Sequence, residues 1–235
     1  MTKKINLSII SPTHQNEAYI TQVVKEIYKD VVSRFNEACE VIVYESGSTD
    51  QTRTLLVELQ EEFPFKLIKT PKRVGYINQV KKLYQLAKGE IIFFLDSDGE
   101  CRPKAFWQLY KKYQDGQNDI VAGLRVKRRP IYRLIITKLD NFLIRTLFRT
   151  KTYDANCAFR LTKANVAKKI IKNCGFLKHN FNSEYLILAF QGGFKIEEVA
   201  VNHRPRKSVV SPPGKILSQI FKAAYELVKF KFNDD

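Results

Sequence analysis

A chain of 235 residues with 44% hydrophobic side chains is too apolar for disorder and long enough to bury a sizeable core. Its net charge of +16 is one-sided: residues 102–235 carry 27 Lys+Arg against 10 Asp+Glu, whereas residues 1–101 carry 13 against 14. The asymmetry points to a polyanionic partner for the second half (a phosphate ligand, an anionic membrane or a nucleic acid), with a solvated basic surface as the plain alternative.

The first half alternates strand and helix patterns. Residues 5–11 are a short apolar run closed by Pro12, the pattern of a buried strand. Residues 17–28 have helical spacing, with Ile20, Val23, Val24 and Ile27 on one side. A second strand is expected over 40–44, closed by Ser46-Gly47-Ser48, and Thr49 or Asp50 is a candidate cap for the helix that follows. A third strand is expected over 65–68 and a helix over 76–87, with Lys88-Gly89 as its C-terminal stop. Residues 90–95 form a fourth strand, wholly apolar after Glu90. Such alternation predicts a mainly parallel sheet covered by helices on both faces, with ligands at the carboxyl ends of its strands. The polar clusters 14–17, 45–50 and 96–100 all fall at such ends.

In the second half a short strand is expected over 120–123, followed by the basic burst 125–129. Residues 131–148 read as a helix in which apolar residues alternate with Arg133, Lys138 and Arg145. A helix is expected over 184–189 and a strand over 194–201. A basic, Pro-containing loop spans 203–213, and residues 215–232 form a basic amphipathic helix. The cysteines at 39, 101, 157 and 174 have no C-x-x-C spacing and read as reduced, buried thiols. Neither a signal peptide nor an apolar run of the roughly 20 residues needed to cross a bilayer is evident, so membrane contact is expected to be peripheral. The expected location is cytoplasmic, on the inner face of a membrane.

Asp96-Ser97-Asp98 places two carboxylates just past a buried strand. Residues two apart in an extended chain share a side. Two like charges at that spacing are unfavourable unless a cation neutralises them, and a hard divalent ion does so while bridging to a diphosphate. The expected metal is therefore Mg²⁺ or Mn²⁺ on Asp96 and Asp98. A surface turn is the alternative, since Asp-Ser-Asp-Gly is also good turn chemistry.

Taken together, Pro12…Asn16-Glu17, Glu45-Ser46-Gly47-Ser48-Thr49-Asp50, Gly75…Gly89-Glu90 and Asp96-Ser97-Asp98-Gly99 resemble glycosyltransferase family 2. The likeness is greatest to its dolichol-phosphate mannose synthase and polyprenyl-phosphate glycosyltransferase branch, and it covers roughly residues 5–211. The resemblance implies a GT-A type, Rossmann-like domain over 1–211, with a nucleotide-binding half (1–101) and an acceptor-binding half (102–211). Residues 212–235 would be an appended amphipathic helix. It also implies a nucleotide pocket lined by Pro12, Thr13, Glu17, Glu45, Ser48, Asp96 and Ser97. The chain departs from the family at Glu45-Ser46, where two aspartates are usual.

The same branch carries a Gly-x-Arg followed by a helix with Arg, a hydroxyl residue and Asn. Gly123-Leu124-Arg125 is similar to the first element. Arg133, Thr137 and Asn141 are similar to the second and share one helical face. With Asp154, these residues would receive a lipid phosphate, a role for which arginines are well suited. The segment 203–211 resembles the branch's late loop, which folds over the diphosphate. Arg206 would act beside Asp96 and Asp98 in catalysis by stabilising charge there. Glu184 stands where other branches carry a base.

The resulting expectation is inverting sugar transfer from a GDP- or UDP-sugar to a polyprenyl phosphate at a membrane surface, with a membrane subunit as a further possible partner. A sugar hydroxyl as acceptor is the enzymatic alternative and would require a base such as Glu184 or Asp154. A non-catalytic nucleic-acid-binding protein is the rival from another class. It is disfavoured because no binding motif or aromatic stacking platform accompanies the charge.

Overall fold

The computed structural model describes residues 4–126, 131–204 and 213–233, apart from the side chains of residues 131–133, 213–217, 219 and 233. Among these residues the strands are β1 (Leu7–Thr13), β2 (Cys39–Ser46), β3 (Lys66–Thr70), β4 (Ile91–Phe94), β5 (Ile120–Val126), β6 (Arg160–Lys163) and β7 (Ile196–Asn202). They form one sheet in the order β3-β2-β1-β4-β6-β5-β7. All neighbours run parallel except β6, which is antiparallel to both β4 and β5.

The helices are α1 (Ile20–Asp30), α2 (Thr52–Glu62), α3 (Tyr76–Leu86), α4 (Phe106–Gln114), α5 (Ile131–Phe148), α6 (Ala164–Asn173), α7 (Phe181–Gln191) and α8 (Pro213–Asn233). They cover both faces of the sheet. On one side Ile10, Ile42, Ile92 and Phe94 pack against α3, α6, α7 and the inward residues of α5 and α8. On the other, Ile9, Val41, Val43 and Phe93 meet α1, α2 and α4. Every residue of β1 and β4 is buried; β4 is wholly apolar, while β1 is mostly apolar with Ser8, Ser11 and Thr13 buried among its aliphatic residues. Truncating one such side chain to alanine costs about 2–5 kcal/mol.

Several expected boundaries move. The first helix starts at Ile20 rather than 17, because residues 14–17 are used in a loop. Asp50 does act at the start of α2: its Oδ1 accepts from the Thr52 amide at 3.1 Å. Gly89 is not a C-cap. α3 ends at Leu86, and Gly89 instead lies against β1, where a Cβ would come within 2.5 Å of the Ser8 backbone nitrogen. The helix expected over 184–189 begins three residues earlier, at Phe181.

β1 pairs with β2 on one side and β4 on the other, and the connections leave it in opposite directions. A crevice opens beyond the carboxyl ends of strands at such a reversal. The loops after β1, β2 and β4 therefore meet there.

Candidate active site

The loops are knitted together before any ligand is considered. The Gln15 amide donates to Ser48 Oγ at 3.0 Å, and the Asn16 amide donates to Thr52 Oγ1 at 2.8 Å. Glu17 and the second loop bind reciprocally: its amide donates to Asp50 Oδ2, and its carboxylate accepts from the Gln51 amide at 2.9 Å. His14 Nδ1 donates to the Ser46 carbonyl at 2.7 Å. Gln79, buried on α3, donates to the carbonyls of Thr13 and Tyr44 at 3.0 and 2.9 Å, tying the ends of β1 and β2. Gly47 sits at φ +56°, and a Cβ there would meet the Arg73 backbone nitrogen at 2.5 Å. Only glycine fits both constraints.

Glu45, expected at the nucleotide, is fully buried. One carboxylate oxygen accepts from the Ser48 amide at 2.6 Å and the other from Arg53 Nε at 2.7 Å. Its visible work is to hold the loop 46–48. Ser97 lies at the centre of the knot, with its hydroxyl donating to the Pro12 carbonyl at 2.9 Å and accepting from Asn16 Nδ2 at 2.7 Å.

Asp96 and Asp98 line one cleft of about 380 Å³, together with Glu100, Arg125, Lys178 and His179. Asp96 Oδ1 accepts from the Tyr76 hydroxyl at 2.9 Å, and Asn182 Nδ2 donates to that hydroxyl at 3.1 Å. Burial, with the Asp96 charge, holds the Tyr76 phenol well above its usual pKa and so keeps it a donor. Asp98 Oδ1 accepts from the Glu100 amide at 2.9 Å. Beyond Glu100 the chain meets the end of β7: Cys101 bridges His203, and the Arg204 amide donates to the Glu100 carbonyl at 2.7 Å. His203 Nε2 lies 3.1 Å from Glu100 Oε2. The end of β7, through His203 and Arg204, thus borders the acidic wall.

The donor set on that wall suits a hard divalent cation, because it consists of carboxylate oxygens. No group of three acidic, His or Cys ligands converges among the described residues. A cation here would take one or two carboxylates from the protein and complete its shell with phosphate oxygens and water, the usual habit of Mg²⁺.

Of the expected acceptor residues, Arg125, Asp154 and Asn141 come together and are largely engaged with one another or with backbone. Arg125 and Asp154 bind one another: Nε and one terminal nitrogen each donate to a different Asp154 oxygen at 2.7 Å, and the Arg125 amide adds a third bond at 3.0 Å. Asp154 is buried, while Arg125 still borders the cleft. Asn141 is consumed structurally, donating to the Thr137 carbonyl and accepting from the Ala155 amide. The side chain of Arg133 and the whole of Arg206 lie outside the described residues. Glu184 is fully buried and accepts from the amides of Gly175, Phe176 and Leu177 at 2.9–3.1 Å. Those bonds make it an anchor of the loop 175–177.

Sequence reasoning missed the rest of this lining: Tyr76 of α3, Lys178 and His179 of the loop before α7, and Phe181 and Asn182 of its first turn. No motif marks them.

A family model described as Glycosyl transferase family 2 matches residues 8–173. The chain belongs to glycosyltransferase family 2. This transferase is 23% identical over 234 residues to the dodecaprenyl-phosphate galacturonate synthase of Rhizobium johnstonii, an alignment covering 98% of this chain and 68% of that one. It is 25% identical over 216 residues to the dolichyl-phosphate beta-glucosyltransferase of Dictyostelium discoideum, covering 84% and 66%. The glycosyltransferase chain thus spans about two thirds of the length of these relatives. Among solved structures it resembles glucosyl-3-phosphoglycerate synthase from Mycobacterium tuberculosis, crystallised with Mn²⁺, UDP and glucosyl-3-phosphoglycerate. The TM-score is 0.73 at 18% identity, covering 96% of this chain and 79% of that one. The fold of the transferase is accordingly GT-A.

Proposed function

We propose that this transferase moves a sugar, with inversion, from a nucleoside diphosphate sugar (GDP or UDP) to the phosphate of a polyprenyl phosphate. The observation that carries the reading is the fate of the two carboxylates offered as bases. Glu184 is tied to three backbone amides and Asp154 to Arg125. A hydroxyl acceptor requires a base to take its proton. A phosphate oxygen is already anionic and requires none. The cleft supports the same choice, since acidic residues for a metal-bound donor stand beside Arg125 and Lys178. The relatives named for dodecaprenyl-phosphate and dolichyl-phosphate chemistry point the same way.

In this reading Asp96 and Asp98 hold the cation, and the knit of Asn16, Ser97 and Pro12 fixes their loop. A divalent cation there would supply positive charge to offset the departing diphosphate. Pro12, Thr13, Glu17, Glu45 and Ser48 shape the nucleotide end, some by contact and Glu45 by holding the loop. Arg125 faces the acceptor with its charge already oriented by Asp154. Arg206, Arg133 and Thr137 are carried as further phosphate contacts by resemblance.

The test is transfer by the purified chain from labelled UDP- and GDP-sugars to a short-chain prenyl phosphate with Mn²⁺. A lipid-linked sugar whose formation stops with EDTA is expected. Label appearing on a sugar hydroxyl, with none on prenyl phosphate, would overturn the proposal.

A further inference from the structure

The loop joining α6 to α7 is held more firmly than a connection of its length requires. Glu184 of α7 accepts from the amides of residues 175–177. Asn180 Nδ2 donates to Asp140 of α5 at 3.0 Å. Glu226 of α8 clamps His179 twice, with one oxygen accepting from the backbone amide at 3.0 Å and the other from ring Nδ1 at 2.7 Å. Three carboxylates from three helices thus fix a loop whose two most exposed residues, Lys178 and His179, both line the cleft.

Ordering an exposed lysine is costly in entropy, so a fixed backbone beneath it matters for binding. The first turn of α7 also borders the cleft through Phe181 and Asn182, and a helix N-terminus favours an anion. Among the described residues Arg125 and Lys178 are the Arg and Lys side chains lining this cleft. Arg125 is engaged in its bidentate pair with Asp154, whereas no ion pair of Lys178 with a described carboxylate occurs within 4.0 Å.

We propose that Lys178 binds the phosphate of the acceptor and that Glu226, acting through His179, is its positioning residue. The proposal rests on the polyprenyl-phosphate reading above. It also gives α8 a part in the site. The helix buries Leu227 and Phe230 in the core, exposes Phe221, Tyr225, Val228 and Phe232, and holds the loop with Glu226 between them. A histidine held at Nδ1 by a carboxylate is also the arrangement of a general base. A hydroxyl acceptor would use His179 in that way, and the two roles separate kinetically.

The experiment measures binding of citronellyl phosphate, a water-soluble prenyl phosphate, by calorimetry, and turnover of the same acceptor. Lys178→Ala, Lys178→Arg and Glu226→Ala are compared with the wild-type chain. Lys178→Ala should weaken prenyl phosphate binding and raise its KM about tenfold or more, the effect of losing one charge-assisted contact. Lys178→Arg should restore most of the affinity. Glu226→Ala should raise the same KM several-fold, with kcat and UDP–Mn²⁺ binding unchanged. Lys178 is exposed, so its variants remain decisive even if Glu226→Ala fails to fold.

Unchanged acceptor binding in Lys178→Ala, or no prenyl phosphate binding by the wild-type chain, overturns the proposal. So does an equal loss of nucleotide binding, which would place Lys178 at the donor. A fall confined to kcat in His179→Asn, with loss of one limb of the pH profile, would make His179 a base and overturn it as well. Wild-type protein that binds prenyl phosphate through Lys178 yet never glycosylates it would leave the subsite standing and reject the transfer reading.

Discussion

At the scale of single residues, the buried carboxylates Glu45, Asp154 and Glu184 are held by other charges or by backbone amides. Arg125 and Asp154 are the clearest pair, with side chains 10% and 2% exposed. Removing one partner strands a buried charge, at a cost of about 3–5 kcal/mol. Asp154→Ala should therefore lower the denaturant midpoint strongly, whereas Arg125→Met with Asp154→Leu should recover most of the loss. Equal stability of Asp154→Ala and wild type in urea would show that the pair is not worth what its burial implies. Asp140 behaves differently. Burial, with the nearby Asp154 charge, raises its carboxyl to about 6. Its folded value lies above the ordinary carboxylate value of about 3.9, so ionisation opposes folding. The penalty is absent below pH ~4, grows between pH ~4 and ~6, and is complete above. Asp140→Asn keeps an oxygen for Asn180 and should melt several degrees above wild type at pH 8, with the difference gone at pH 4. A pH-independent difference in melting temperature would reject this assignment.

At the scale of elements, the legible pieces were those whose burial is simple. β1 and β4 are buried on both faces and read as mostly apolar runs. β6 was not legible as an antiparallel insertion, since it has four residues and buries polar Arg160 and Thr162. Arg160 is accommodated by aromatic rings, its guanidinium 4.7 Å from the Phe94 centroid and 4.1 Å from that of Tyr185. α4 was missed because it buries only Phe106 and Leu109, too short a stripe to show a period. α5 and α8 divide in a way that periodicity could not show. Each apolar stripe is partly inward, through Ile144 and Phe148 on α5 and Leu227 and Phe230 on α8. Each is also partly outward, through Ile135, Leu139 and Phe142 on α5 and Phe221, Tyr225, Val228 and Phe232 on α8. The two helices pack together, so their outward residues form neighbouring surfaces. No described helix is long and apolar enough to cross a membrane. An exposed apolar stripe flanked by Lys and Arg suits a helix lying in an anionic interface, and each basic residue there adds about 1 kcal/mol. Co-sedimentation with phosphatidylserine vesicles at low salt is the expected result. Phe221→Ser with Phe232→Ser should weaken it, and so should added salt. Folded protein left wholly in the supernatant would favour a membrane subunit as the partner of this face.

At the scale of the whole molecule, the cleft draws on residues far apart in the chain. Asp96 and Asp98 could be read in the sequence because they follow a buried strand within a few residues. The lining from Tyr76, Lys178, His179, Phe181 and Asn182 could not, because its place depends on α3 and α7 packing on the same side of the sheet. Likewise Glu45 carried a readable acidic signal, but its engagement by Arg53 and the Ser48 amide is a matter of loop geometry. A site assembled from so many elements ties ligand binding to the folded state, and a ligand that binds only the native chain raises its stability. At a hundredfold excess over Kd the gain is about 2.7 kcal/mol. For a chain of this size that corresponds to a rise in Tm of roughly 5–10 °C. The expected result is a shift of this order with UDP or GDP plus Mn²⁺, and a much smaller one with either component alone. Asp98→Asn keeps an oxygen for the Glu100 amide but loses the charge, so it should melt close to wild type without ligand. It should lose the metal-dependent part of the shift and, with it, sugar transfer. A full metal-dependent shift in Asp98→Asn would remove Asp98 from the cation site and leave the acidic wall a loop-building device.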